Sequence, residues 1–504
     1  MEITVSTEDA YLCPCDLLMM GLYTEEKVPL EDKLNKEIQF LKQEGELTGT
    51  AGETAIIYTY GSIAPKRIMF LGLGEKPKAP VDLNEIRKVF SKGIRKAMQL
   101  PVKKLCIYLP PKVSTQFISA ALEGILLPFY SFTKYKSKET LHTPEIKLLT
   151  TSTDIETVKG AFNFTQVVVD NVNLAKDICN EASSKISPYI FTQIAKEQFK
   201  NLPVKIKILE AEEIRKERLE LLWSVGRGSK LEPRLLILEY EGADSPSLGL
   251  VGKGITYDSG GMSIKTSYNT LFEMKRDLTG AATMLAVTKA LAEWEAPVKV
   301  VTILPLAENM VGSTAYKPGD ILKSFSGKTV EVMDTDCEGR LILADALSYL
   351  QAYYDPEIII DIATLTGGIQ RALGDKIAGI FSNEEELVRE FVLAGKKSGE
   401  YVWPLPLFDD YRERIFSHFA DLKNVSFKKD APGSIVAALF LQEFINPSRK
   451  WVHLDIANVD THYGEKYFHT RGATAFGVRL LCWFLWNSLW KENHLLLLKK
   501  NIKL

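Results

Sequence analysis

The 504-residue chain carries 62 Lys and Arg against 64 Asp and Glu, with 46% hydrophobic residues, 25% charged residues and 6 cysteines. At roughly 150 residues per domain this length allows about two to four domains, and the balanced composition excludes a disordered, collagenous or coiled-coil chain. A net charge of −2 supplies no global positive field for nucleic acid or an anionic membrane surface.

The acidic start MEITVSTEDAY lacks the basic and apolar regions of a secretory signal. The cysteines (Cys13, Cys15, Cys106, Cys179, Cys337, Cys482) are scattered, and the lone Cys13-Pro14-Cys15 reads as structural. A cytoplasmic location is expected. Residues 55–60, 67–73 and 104–109 read as strands, the last closed by Pro110-Pro111, and 117–127 as an apolar-faced helix. The charged stretch 134–145 reads as a connection, so a boundary is expected near 140–165, giving domains 1–150 and 151–504.

Beyond it, strands are expected at 235–240, 248–251, 298–304 and 357–362, with helices at 281–294 and 341–354. Such alternation predicts an α/β fold with a mostly parallel central sheet flanked by helices, whose site sits beyond the carboxyl ends of the strands. The apolar run 480–486 is far short of the ~20 residues of a membrane span. The tail 495–500 reads as a packed or frayed terminus.

Three polar segments interrupt the apolar strands: 252–265 (GKGITYDSGGMSIK), 275–280 (KRDLTG) and 334–340 (DTDCEGR), the last two placed just before the helices at Ala281 and Leu341. Asp336 and Glu338 are two apart, so an extended backbone would point both carboxylates to one side. If Asp258 and Asp277 converge with them, four carboxylates share one cleft, and their repulsion calls for protons or cations. Two divalent metals would supply +4 against −4, and hard oxygen donors suit Mn²⁺, Mg²⁺ or Zn²⁺. None of the six histidines (His142, His418, His453, His462, His469, His494) lies in these segments, so an H-E-x-x-H zinc site is absent. Lys265 would offset a developing oxyanion, and Lys253 could do the same or ligate as a neutral amine. Singly, each segment has a plainer reading: a βα turn at Gly252-Lys253-Gly254, and helix N-terminal acids at Asp277 and Asp334.

Together the segments resemble the leucyl aminopeptidases of the cytosolic dimetal family. The family signature N-T-D-A-E-G-R-L appears as Asp334-Thr335-Asp336-Cys337-Glu338-Gly339-Arg340-Leu341, and 251–265 matches V-G-K-G-I-T-F-D-S-G-G-x-S-I-K closely. PLAENMVGSTAYKPGD (305–320), DIATLTG (361–367), HLDIA (453–457) and Gly472-Ala473-Thr474 extend the likeness over roughly 165–485. The resemblance implies a macro-like N-terminal α/β domain, a larger C-terminal catalytic domain and a homohexamer. It implies a tight metal site of Lys253, Asp258, Asp277 and Glu338, and a more exchangeable one of Asp258, Asp336 and Glu338. Lys265 and Arg340 are implied as catalytic non-ligands, Arg340 holding a bicarbonate as general base. Met274, Thr364 and Gly367 are implied near the side-chain pocket, and the Leu365 backbone near the scissile amide. The implied reaction is hydrolysis of the N-terminal peptide bond, with leucine-like residues preferred, by a water or hydroxide bridging two metals.

The chain departs from the family at Asp334, which replaces Asn, and at Cys337, which replaces Ala and opens a route to oxidation. The Lys265 to Asp277 spacing of 12 is one longer than the family's. Two other readings stay open: a dipeptidase of the same chemistry, acting on substrates such as Cys-Gly, and a hexameric DNA-binding protein. The near-neutral charge and the lack of a continuous basic stripe count against nucleic acid.

Overall fold

In the computed structural model, which describes residues 2–24, 34–76, 81–137, 143–243, 247–426 and 432–488, the apolar runs of the first third pair into a six-stranded sheet. Its strands are β1 (Ile3–Ser6), β2 (Leu17–Tyr23), β3 (Thr54–Tyr58), β4 (Arg67–Gly74), β5 (Lys104–Tyr108) and β6 (Glu145–Leu149), in spatial order β1-β6-β5-β2-β4-β3. Every pairing is parallel except β3 with β4. Asp82 starts the helix Leu83–Met98 by accepting the Asn84 and Glu85 N–H groups, and Ser114 starts Thr115–Leu126 by accepting that of Phe117. The expected strand at 55–60 ends at Tyr58, because Tyr60 takes a positive φ in the turn that follows. Residue 145, expected in a connection, opens β6, and the 26-residue helix Ile155–Asn180 then leads into the second part of the chain.

In chain order the following strands are β7 (Val204–Leu209), β8 (Arg234–Glu241), β9 (Ser247–Gly252), β10 (Gly254–Asp258), β11 (Lys299–Asn309), β12 (Ile321–Lys323), β13 (Thr329–Glu331), β14 (Ile358–Ala363), β15 (Ile377–Ser382), β16 (Tyr401–Pro404), β17 (Leu422–Lys423) and β18 (Lys450–Asp455). Nine of them form one sheet, in order β16-β15-β18-β14-β9-β11-β8-β7, with β10 continuing beside β11. The centre is parallel, as expected; antiparallel pairing occurs at β15 with β18, β11 with β8, and β8 with β7. β12, β13 and β17 make a small separate sheet.

Alternation along the central strands sorts their side chains onto two faces. Leu236, Leu238, Leu248, Leu250, Ile360 and Ile362 pack with the helix Thr279–Glu293. Their neighbours Leu235, Ile237, Val251 and Ile359 pack with the helix Glu338–Tyr354. The first of these cores runs on into the other sheet's helices through Phe90 and Phe117, so both parts of the chain share one apolar interior.

Two helix starts differ from the sequence reading. The helix expected at 281 begins at Thr279, and the one expected at 341 begins at Glu338, so Glu338, Gly339 and Arg340 form its first turn. Extended backbone therefore does not align Asp336 with Glu338; a turn leading into a helix does. The run 480–486 lies inside the helix Val478–Ser488, and among the described residues no helix is long and apolar enough to cross a membrane. The 495–500 tail, His142 and His494 lie outside the described residues.

Charge is buried where the two parts meet. Glu123 accepts the Arg87 Nε at 2.6 Å, the Arg479 Nη1 at 3.2 Å and the Trp483 Nε1 at 3.2 Å. Glu400 faces Arg479 at 3.3 Å and accepts the Gly477 and Leu480 N–H groups at the start of the last helix. Removing one member of a buried ion network strands its partners in a low-dielectric interior. Glu123→Ala should therefore cost about 3–5 kcal/mol, read as a lowered urea midpoint, with Glu123→Gln milder because it keeps the acceptor.

Candidate metal centre

Parallel strands bring their carboxyl ends to one edge, and the site is built there. Lys253 follows β9, Asp258 ends β10, Asn309 ends β11, and Thr364 and Leu365 follow β14. Asp277 enters from the turn before the helix Thr279–Glu293, and Asp336 from the turn before Glu338–Tyr354. Oxygens of Asp258, Asp336 and Glu338 lie within 4.8 Å of one another.

Two lysines stand between the four carboxylates. Lys253 Nζ is 2.8 Å from Asp277 Oδ1 and 3.0 Å from Glu338 Oε1, and donates to the Thr364 carbonyl at 2.8 Å. Lys265 Nζ is 2.8 Å from Asp258 Oδ2 and also pairs with Asp336 Oδ1. Both lysines are pulled down by burial, yet the surrounding carboxylates outweigh it and leave each above its ordinary value. The acids move the other way. Burial, then the neighbouring carboxylates, pushes Asp336 up to about 7, and burial is also the main cause that raises Glu338 and Asp277.

This arrangement fits cations. Two ammonium groups against four carboxylates leave two negative charges in a buried cleft, where uncompensated charge is costly. Asp277 Oδ2 and Glu338 Oε2 are buried without any hydrogen-bond donor, which leaves them available as ligand oxygens. The donor set of carboxylate oxygens with one amine suits hard to borderline divalent ions.

A hydrogen-bonded frame fixes the two acidic loops. The Thr335 hydroxyl donates to the Gly260 carbonyl at 2.6 Å and accepts the Ser263 N–H at 2.8 Å. Asn309 Nδ2 reaches both Asp258 Oδ1 at 2.8 Å and the Thr335 carbonyl at 3.0 Å, and the Tyr316 hydroxyl donates to that same carbonyl. Gly260 turns the first loop at φ +87. Gly339 is required for another reason: a Cβ there would lie 2.6 Å from Lys253 Cε.

The structure gathers Lys253, Asp258, Lys265, Asp277, Asp336 and Glu338 into this one cluster. Arg340 is buried in the same first turn as Glu338; its Nη1 donates to the Asn424 carbonyl at 2.7 Å, and among the described residues its Nε has no partner. Thr364 joins the cluster through its hydroxyl, 2.7 Å from Asp277 Oδ1. The Leu365 N–H is spent on Asp455 at 3.2 Å while its side chain packs on the second core. Met274 is half-buried and accepts the Asp277 N–H through its carbonyl, and Gly367 opens a surface helix. Asp277 is no helix cap: the cap position is Leu278, and the Asp277 carboxylate goes to Lys253 and Thr364. Asp334 does act as a turn acid, accepting the Asp336 N–H at 2.9 Å. Burial, with Asp334 and Glu338 nearby, pushes the Cys337 thiol up to about 11, which disfavours the reactive thiolate.

Asn309 and Asn424 escaped the sequence reading. Asn309 ends the largely apolar strand β11, and a polar residue at the carboxyl end of such a strand is a usable signal. Asn424 follows a two-residue strand and carries no such mark.

The cytosol aminopeptidase family matches this chain twice, its N-terminal domain over residues 21–139 and its catalytic domain over 173–482. A probable cytosol aminopeptidase of Roseiflexus castenholzii is 38% identical over 491 residues, covering 95% of this chain and 98% of that protein. One from Hamiltonella defensa is 36% identical, covering 97% and 98%. The bottromycin maturation enzyme BotP in complex with Mn has a similar structure, with a TM-score of 0.82 at 28% identity, covering 93% of this chain and 98% of BotP.

Asn309→Ala removes the donors that hold Asp258 and Thr335, and should weaken metal affinity about 10–100-fold in a chelator-competition titration. Asp334→Asn keeps the Oδ1 acceptor and removes one charge. Metal affinity should therefore shift more than substrate preference, as measured by metal titration beside kcat/KM for two peptides.

Proposed function

The chain belongs to the cytosol aminopeptidase family and is a metal-dependent aminopeptidase; from that premise we propose that two metals serve it and that leucine-like N-terminal residues are its preferred substrates. The observation that carries this reading is the buried set of four carboxylates and two lysines at one edge of the sheet, with two carboxylate oxygens left unpartnered. Lys253, Asp258, Asp277 and Glu338 would hold the tighter ion; Asp258, Asp336 and Glu338 would hold the more exchangeable one. Mn²⁺ or Zn²⁺ fits these donors, with Mg²⁺ an option at the exchangeable position. When bound, such ions supply charge that polarises a carbonyl and lowers the pKa of a nearby water.

The chain's own groups supply the rest. The free α-amine of an incoming peptide, as a neutral lone-pair donor, would complete the metal centre, which restricts cleavage to the N-terminal bond. Lys265, already facing Asp258 and Asp336, is placed to offset charge on the carbonyl oxygen as the tetrahedral intermediate forms. Arg340 keeps an unpartnered Nε beside the cluster, a position suited to a bicarbonate acting as base. Met274, Thr364 and Gly367 would line the pocket for the N-terminal side chain, and the Leu365 backbone would lie near the scissile amide. A division near residue 150, a homohexameric assembly and a cytoplasmic location belong to the same proposal; light scattering tests the assembly.

Hydrolysis of leucine p-nitroanilide by EDTA-treated protein, with and without added Mn²⁺ or Zn²⁺, tests the reading. Metal should restore cleavage of the free-amine substrate and leave the N-acetylated one intact; silence with every metal on leucine and dipeptide substrates would overturn it. A kcat/KM for Cys-Gly well above that for leucyl substrates would make the enzyme a dipeptidase instead. Asp336→Asn should lower turnover at least about 100-fold, at or beyond the upper end of what outer-shell substitutions cause; wild-type turnover with equal metal content would remove Asp336 from the ligand set.

A further inference from the structure

The helix Ile155–Asn180, the segment 462–474 and the start of the helix Val478–Ser488 enclose a cavity of ≈ 10 Å³, room for about one water-sized particle. Its polar lining is Lys176, Arg479, His462, His469, Thr470 and Thr474, the last already donating to the Val459 carbonyl, and Leu127, Val172 and Phe468 give it an apolar wall. This is a cluster of basic groups with no acid among its lining residues.

The charges do not balance here. Arg479 is matched by Glu123 at 3.2 Å and Glu400 at 3.3 Å. Lys176 is 4% exposed, and among the described residues no carboxylate or carbonyl accepts a hydrogen bond from its ammonium, which lies 4.9 Å from the centre of the Tyr130 ring. The adjacent Asp177 carboxylate is taken by the Tyr130 hydroxyl at 2.9 Å. Among the described residues the Thr470 hydroxyl is also buried without a partner. Burial, with the surrounding positive charge, holds both histidines neutral, His462 pushed down to about 4 and His469 to about 2, so each offers an N–H donor and not a charge. Their rings lie 4.0 Å apart.

We propose that this cavity binds one monovalent inorganic anion of halide size, held by the Lys176 ammonium, the Thr470 hydroxyl and the imidazole N–H groups of His462 and His469. A buried ammonium is stabilised by an opposite charge far more than by a neutral acceptor. Burial, with Arg479 nearby, pushes the Lys176 ammonium down to about 7, and an anion beside it would hold it charged where a water would not. A phosphate or a carboxylate ligand exceeds the space, whereas a weakly hydrated halide suits donors set in an apolar wall. The site is separate from the carboxylate cluster and needs none of its residues.

Crystals of the full chain soaked in bromide should show an anomalous peak beside Lys176. In solution, NaBr or NaCl should raise the Tm of the metal-loaded enzyme by roughly 1–3 °C over sodium gluconate of equal ionic strength, since gluconate cannot enter. Lys176→Met should abolish that halide-specific rise. Thr470→Val, which keeps the shape and removes one donor, should reduce the rise if the lysine variant fails to fold. An ordered water without anomalous signal, or equal Tm values in bromide and gluconate, would overturn the proposal.

Discussion

Lys253 is the constraint on which the site depends. Its ammonium meets Asp277, Glu338 and the Thr364 carbonyl, and so joins the ends of β9 and β14 to the starts of two helices. Its backbone takes part as well, since the Lys253 N–H donates to the Ile362 carbonyl and its own carbonyl accepts the Ala281 N–H. Because the side chain crosses the first turn of the helix Glu338–Tyr354, a Cβ at position 339 would push the lysine away from its partners. One long cationic side chain thus sets the approach of two helices to the sheet and the spacing of two acids.

Such a cluster is costly unless held rigidly, because several like charges share a dry space. Thr335, Asn309 and Tyr316 hold it by occupying the backbone groups of the two acidic loops. Asn424 does the same for the far end of the loop, bonding the backbone at Met333 and Asp334 while its carbonyl receives Arg340. Side chains that never face the cleft therefore decide where its carboxylates point.

The first sheet is tied in by a second buried charge system. Glu123, from a helix of the N-terminal part, is shared by Arg87 and by Arg479 of the last helix, and the apolar interior is continuous across the same surface. The N-terminal part is thus packed as a component of the catalytic body. Lys176 lies beside this system and is left out of its pairing, which is why its cavity is electropositive.

The cluster of acids and lysines was legible along the chain. Three polar segments in apolar surroundings marked Lys253, Asp258, Lys265, Asp277, Asp336, Glu338 and Arg340, because acids and glycines at strand ends serve no packing purpose. The sequence also determined the α/β class, since strand runs rich in β-branched residues alternate with longer helical patterns. It misjudged how Asp336 and Glu338 align, because helix starts depend on caps and on contacts that periodicity does not report. Contacts between distant parts of the chain were not legible along it: Asn309 and Asn424 bracing the acidic loops, Glu123 between two arginines, and Lys176 with no acid accepting from it among the described residues. Each of these rests on contacts between residues remote in sequence, and a pattern read along one chain carries local preference but no information on which distant groups a fold brings together.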